Sequence, residues 1–589
     1  MKQLLTGNEA VARGVYEAGV KFAAAYPGTP STEILENISR YREMIAEWAP
    51  NEKVALETAI GASLAGARAI ASMKHVGLNV AADALLTVAN TGITGGLVVV
   101  TADEPGMHSS QNEQDNRHYA ELAKIPMLEP SDSKECLEMT KYAFELSEKY
   151  ETPVLLRLTT RICHSKGIVE TGERVEKALI PYVKNEKKYV TVPANARVNR
   201  VKVEQKLHDL KALAEQSQWN YTEENGSKIG VVACGQCFYY AKEVFGAEVD
   251  YLKIGFSYPA AEEKMREFCK RHETVYVLEE NDPILENQLK SFGCNVIGKD
   301  VFPPYGELMP YVIRESLTHQ SAVELQANPA DVVARPPSLC AGCPHRGLFL
   351  ELGKRKDVIV AGDIGCYTLA YGEPYRAMDW NMCMGGSIST AHGAQKILEH
   401  ADQRRVVAVI GDSTFFHTGI NSLINVVYNK ANTVTVILDN RITGMTGHQQ
   451  NPGTGFTAQN EPTHIVDIEA LVRAAGIRQV RVVDPNRLND VREALDWALS
   501  LQEPSVVITR YPCALKKLTE QDRTEFDGAF RKRFFVAQDV CKGCKMCLQC
   551  GCPAIEWEQG KAKINAQCLG CGVCAQVCRF DAIREGKHD

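Results

Sequence analysis

Along residues 1–165, short apolar runs alternate with stretches whose apolar positions repeat at helical spacing. KFAAAYPGTPS (21–31) reads as a strand stopped by a Pro/Gly turn, GGLVVVTADEP (95–105) as a buried strand entering a loop, and TPVLLRLTTR (152–161) as another strand. ETAIGASLAGARAIA (57–71) carries small residues at helical spacing and predicts a tightly packed helix. Such alternation predicts an α/β domain on a mostly parallel sheet. Residues 170–228 are charged and irregular, with KNEKKY and EENGSK, and predict a linker with some helix. Alternation returns over 228–330 in KIGVVACG, VDYLKIG and TVYVLEEN. The stretch PADVVARPPS (329–338) predicts a boundary, and a further α/β domain follows over 339–515, with strands near 357–362, 406–411, 433–439 and 505–510. Residues 535–589 are cysteine-dense and punctuated by glycine.

Length and composition change this picture little. At roughly 100–200 residues per domain, 589 residues predict about three to five domains. Apolar content of 45% and charged content of 24% allow each an ordinary core. A net charge of −7 without a long basic run argues against nucleic acid or an anionic membrane as partner. The N-terminus lacks the apolar core of a signal peptide, and no apolar run approaches the ~20 residues of a membrane helix. A soluble, cytoplasmic protein is expected.

The 20 cysteines do change it, because nine of them lie between 541 and 578. Dense cysteine in a large protein of a reduced compartment points to metal rather than disulfides. Cys568, Cys571, Cys574 and Cys578 are separated by two, two and three residues; Cys541, Cys544, Cys547 and Cys552 by two, two and four, with Pro553 following. Tandem runs of this kind hold two [4Fe–4S] clusters, the fourth cysteine of each run ligating the other cluster. One cluster is therefore expected on Cys541, Cys544, Cys547 and Cys578, the other on Cys568, Cys571, Cys574 and Cys552. The extra residue in the first run leaves Cys550 as a competitor of Cys552, with Pro553 favouring the latter. Two such runs exceed what a zinc ribbon needs. The segment resembles bacterial-type two-cluster ferredoxins.

VVAVIGDSTFFHTGINSLINVVYNKANTVTVILDNRI (406–442) predicts a strand ending at Gly411-Asp412-Ser413, a helix, and a second strand ending at Asp439-Asn440. It resembles the diphosphate–magnesium motif of thiamine enzymes. Gly411 lets the chain turn close to phosphate, and Asp412 offers Mg2+ a hard anionic oxygen. Asn440 and the carbonyl of Ile442 add neutral oxygens, and the helix start after Ser413 favours a diphosphate. Ser413 and Asp439 depart from the motif at positions that supply no metal ligand.

In order and content the chain resembles the thiamine-diphosphate-dependent 2-oxoacid:ferredoxin oxidoreductases, and among them the large subunits of the indolepyruvate-type enzymes. LCAGCPHR, GDIGCYTLA and the anomalous first cysteine run carry most of that resemblance. It implies a transketolase-like, multidomain α/β fold. A pyrimidine-type domain would occupy 1–170, a linker with a transketolase-C-like domain 171–330, a diphosphate-type domain 331–530, and a two-cluster ferredoxin-like domain 535–589. It further implies a third, proximal [4Fe–4S] cluster on Cys340, Cys343, Cys366 and Cys513. Glu57, read as opening the small-residue helix, would hydrogen-bond the thiamine aminopyrimidine, with Glu52 as the nearby competitor. Thr29, in a turn similar to YPITPSS, would face the substrate carboxylate or carbonyl. The polar loop 103–118 suggests Arg117 as a carboxylate clamp, a solvated loop being the equal alternative. Cys234 and Cys237 are read as non-ligands and Cys383 as packing near the cofactor. The implied reaction is oxidative decarboxylation of aryl 2-oxoacids with coenzyme A, reducing ferredoxin, in an α2β2 assembly with a small β subunit.

Overall fold

The chain divides into two compact units, 1–331 and 332–589. The computed structural model describes residues 1–321 and 336–586, so 329–335 of the stretch read as a boundary lie outside the described residues.

In the first unit the strands are β1 (Lys2–Thr6), β2 (Phe22–Ala25), β3 (Ile45–Trp48), β4 (Ala69–Lys74), β5 (Leu97–Asp103), β6 (Met127–Leu128), β7 (Val154–Thr159), β8 (Lys166–Glu170), β9 (Asn220–Glu223), β10 (Ile229–Cys234), β11 (Asp250–Ile254), β12 (Phe256–Tyr258) and β13 (Thr274–Leu278). A seven-stranded sheet runs β12-β6-β7-β5-β4-β2-β3, parallel except for β12. All of β5 is buried, as expected of a strand covered by helices on both faces. A second sheet runs β13-β10-β11-β9, with only β9 antiparallel. The two regions interlock, since β12 leaves the second to become the edge of the first.

One reading is corrected. The run 57–71 is not one helix. Asn51 accepts a hydrogen bond from the Val54 N–H and caps a helix that spans Glu52–Leu64, and β4 starts at Ala69. Small alanines fit both elements, and the break lies at Gly66, whose φ of +91° ends the helix. The stretch 170–228, read as a linker with some helix, carries a 24-residue helix, Pro193–Gln216, opened by its proline and buried only along Asn199, Val203, Leu207, Leu210 and Ala214. Its charged exterior masks that single stripe.

In the second unit β14 (Val358–Ala361), β15 (Arg405–Gly411), β16 (Val434–Asp439), β17 (Gln479–Val483) and β18 (Ser505–Arg510) form a parallel sheet in the order β14-β15-β16-β18-β17. Four of these were predicted; β17 was not, because its QVRVV pattern is only partly buried at the sheet edge. Beyond it, β19 (Phe534–Val536) pairs with β22 (Ile583–Glu585), and β20 (Ile555–Glu558) with β21 (Lys561–Ile564), framing the cysteine loops. No helix among the described residues is long and apolar enough to cross a membrane.

Candidate active site

At the C-terminal end of β15, Gly411 passes so close to Tyr367 that a Cβ would stand 2.8 Å from its ring. Asp412 follows, buried, with Oδ1 accepting the Ser413 N–H at 2.7 Å and Oδ2 buried without a hydrogen-bond partner. Burial, then the Asp439 carboxylate, push Asp412 up to about 7. Asp439 itself is taken up by Arg510 (2.7 Å) and Arg441 (3.3 Å), which explains why an acid is tolerated where the motif has asparagine. Asn440 and Ile442 are buried beside it, and the Thr443 hydroxyl donates to Ser413 Oγ at 2.9 Å. The donor set is one carboxylate with an orphaned buried oxygen, one side-chain amide and backbone carbonyls. That set fits a hard divalent cation bridging to a diphosphate.

Two residues unassigned by the sequence reading complete this floor. Asp363, fully buried after β14, accepts N–H bonds from Ile364 (2.8 Å), Gly385 (2.7 Å) and Ser387 (2.8 Å), and so ties the GDIG turn to the CMGGS loop. Its signal was a second Gly-Asp at a strand end. His345 is buried, with Nε2 3.4 Å from Asn440 Nδ2, and burial holds it down at about 4. Cys383, read as packing near the cofactor, is exposed in the same CMGGS loop.

The four proximal cysteines converge here. The Cys513 N–H donates to the Asn440 carbonyl at 3.0 Å, and Cys343 N–H to the Cys340 carbonyl at 3.1 Å. Burial, then Cys513 and Cys340, push the Cys366 thiol up to about 11, with Asp412 adding to it. Cys343, raised by burial to about 12, feels both Cys366 and Cys513.

In the C-terminal segment, Cys541, Cys544, Cys547 and Cys578 line one small pocket with Trp557 and Phe580. They are the four residues expected to share a cluster. Burial raises the Cys574 thiol, and Cys550, Cys571, Cys552 and Cys568 add to the shift, so the second set also assembles with both competitors present. Among the described residues no three of these groups close on a single ion. Arg346, 1% exposed, joins the inner sets: it donates to the carbonyls of Leu339 (2.8 Å), Cys340 (2.7 Å) and Cys550.

In the first unit Thr29 sits half-buried in the turn after β2. Glu57 does not open its helix. It lies in the second turn, 46% exposed and paired with Lys53, on a face where Thr58, Gly61 and Ala65 are also exposed. The buried opener is Glu52, against Gly77. Arg117 is no carboxylate clamp: it is buried, and its donors are spent on Asp115 (2.5 Å), Glu279 (2.5 Å) and the carbonyls of Glu280 (2.9 Å) and Asp282 (2.8 Å). Cys234 lies against it, at 3.8 Å.

Residues 13–224 match the family described as pyruvate flavodoxin/ferredoxin oxidoreductase, thiamine diphosphate-binding, and residues 363–509 match the C-terminal binding domain of thiamine pyrophosphate enzymes. Curated relatives named indolepyruvate oxidoreductase subunit IorA are similar along the whole chain. That of Methanothermobacter thermautotrophicus is 42% identical over 100% of this chain and 98% of its own, and that of Pyrococcus horikoshii 40% over 100% and 98%. Archaeoglobus fulgidus has one 39% identical over 100% and 98%. Among solved structures, a 2-oxoglutarate:ferredoxin oxidoreductase from Magnetococcus marinus aligns with 54% of this chain and 65% of its own at 18% identity and a TM-score of 0.44. The chain belongs to the indolepyruvate oxidoreductase subunit IorA family and is part of a thiamine-dependent 2-oxoacid:ferredoxin oxidoreductase.

Proposed function

We propose that the chain carries out the oxidative decarboxylation of aryl 2-oxoacids such as indolepyruvate and phenylpyruvate, forming acyl-coenzyme A and CO2 and passing electrons to ferredoxin. The observation that carries this reading is the join in the second unit: the Asn440 carbonyl that accepts from Cys513 belongs to the residue beside the Asp412 site, and Arg346 continues from the proximal cysteines to Cys550. Such a chain suits removal of electrons one at a time at the place where they are released.

Asp412, Asn440 and the Ile442 carbonyl would hold Mg2+, and through it the diphosphate of thiamine. When bound, thiamine supplies the electron sink for loss of CO2. Glu57 would hold a proton at the aminopyrimidine N1′. Its exposure, on a face of small residues, leaves it open to a group arriving from outside its own helix packing. Thr29 would orient the oxoacid. The cysteine sets would carry three [4Fe–4S] clusters. The relatives are named as subunits, which supports a multi-subunit enzyme; the assembly proposed is α2β2 with a small β subunit, in the cytoplasm.

The test is anaerobic reduction of ferredoxin or a viologen dye by the chain with its co-expressed small subunit, thiamine diphosphate, Mg2+ and coenzyme A. Indolepyruvate, phenylpyruvate, pyruvate and 2-oxoglutarate are compared side by side. Preference for the aryl acids is expected; preference for pyruvate or 2-oxoglutarate keeps the chemistry and overturns the substrate. Glu57→Gln should retain bound thiamine and lose turnover.

A further inference from the structure

Lys74 closes β4 at the C-terminal edge of the first sheet, where parallel sheets receive ligands. Its neighbours end beside it, β2 in the turn that carries Thr29 and β5 in the loop that begins at Glu104. The side chain is only 12% exposed. Its stem lies across Gly28: a Cβ there would stand 3.1 Å from both Cγ and Cδ of Lys74. The absence of a side chain at 28 therefore gives the lysine its course past the residue next to Thr29.

At its far end the ammonium has only distant partners. The Ser109 carbonyl is 3.5 Å away and Glu104 Oε2 3.7 Å. A charge-assisted N–H···O bond normally spans about 2.7–2.9 Å, so the ion pair with Glu104 and the bond to Ser109 are both long. Glu104 is already engaged, accepting from the Ser109 N–H (2.6 Å), the Ser109 hydroxyl (2.8 Å) and the Ser110 hydroxyl. Glu52, the other acid near Lys74, lies against Gly77 in the first turn of the helix His75–Thr91, where the helix start offsets its charge. Both carboxylates are thus engaged by other groups, and the cation keeps only long contacts. An ammonium has three donors to place, and one withdrawn from water without partners is costly. Burial accordingly holds Lys74 below the usual lysine range, with Glu104 opposing. Lys74 is also the residue before that 17-residue helix, and no side chain caps the helix there.

We infer that Lys74 binds the carboxylate of the 2-oxoacid, beside Thr29. The inference rests on the oxoacid reading above. It assigns the recognition of the group common to all 2-oxoacids, leaving the side chain of the substrate to other parts of the site.

The test uses the complete enzyme with its small subunit. Lys74→Met should raise KM about 10- to 100-fold for indolepyruvate and phenylpyruvate alike, the range expected for one lost bond to a charged group, with bound thiamine and iron unchanged. Lys74→Arg should recover most of the loss. A wild-type KM in a Met variant that keeps its thiamine overturns the assignment, while the oxoacid reading stands. No turnover of any oxoacid by the wild type overturns both. Should the Met variant not fold, acetylation of Lys74 in the native complex, followed by mass spectrometry, decides instead. Phenylpyruvate, added without electron acceptor, should slow it; equal rates with and without phenylpyruvate overturn the assignment.

Discussion

Asp412 is a buried carboxylate that its own surroundings answer only in part. Oδ2 is buried and unpartnered, and Asp439, the nearest acid, is occupied by two arginines. Removing such a group has opposite effects on cofactor and fold. Asp412→Ala should abolish retention of thiamine diphosphate after desalting. The cofactor-free protein should keep or slightly raise its melting temperature, since an unsatisfied buried carboxylate costs about 1–3 kcal/mol or more. A fall in stability without cofactor, together with retained thiamine, would mean that Asp412 serves packing instead. The same logic separates the residues that sequence made legible from those it did not. Asp412, Asn440 and the cysteines declare themselves because metal and phosphate chemistry needs those residue types at fixed spacings. Arg117 misled because a lone arginine in a polar loop looks the same whether its partner is a substrate or, as here, Asp115 and Glu279. Those partners lie in other parts of the chain or take their meaning only from burial.

At the scale of elements, periodicity identified most of the buried strands, missing β4, β6 and β12, and failed where packing, not pattern, decides. The run 57–71 was split by Gly66, and β17 was overlooked at a sheet edge. The anomalous first cysteine run has a local cause. A 3-10 turn spans Met546–Cys550, and Gly551, at φ +57°, then turns left-handed against Pro374 and Tyr375 before Cys552. The extra residue is the one that reverses the chain. Cys550 is fully buried, with its carbonyl held by Arg346 and Tyr375, and Cys552 is less so. We propose that Cys550, whose carbonyl is fixed, is the structural residue and that Cys552, after the reversal, is the ligand. Cys552→Ser should therefore lower iron by about four atoms per chain, one cubane. Cys550→Ser should leave iron unchanged and lower stability. The reverse iron pattern would exchange the two roles.

At the scale of the molecule, each unit has its own way of handling buried charge. The second gathers thiols and one orphaned acid and leaves them to be satisfied by what it binds. The first holds one cluster that pairs mostly within itself: Arg117 and Arg157 sit among Asp103, Asp115, Glu129, Glu279 and the backbone of Glu280. Acids outnumber these arginines, so some acids must be held against their preference. Burial pushes Glu280 up from 4.5 to about 7, even though its Oε1 accepts the Leu308 N–H at 3.1 Å. The consequence for stability has a definite sign. A carboxyl that binds its proton more tightly folded than unfolded contributes fully below its unfolded value of 4.5, and loses that contribution as pH rises through 7. Glu280→Gln keeps the acceptor for Leu308 and removes the ionisation. At pH 5 the variant and wild type should unfold at similar temperatures. At pH 8 the variant should be more stable by on the order of 2–3 kcal/mol, read as a higher apparent melting temperature and slower proteolysis of the first unit. An equal gap at both pH values would mean that the substitution acts through packing. A wild type more stable than the variant at pH 8 would mean that the ionised Glu280 is held by the two arginines.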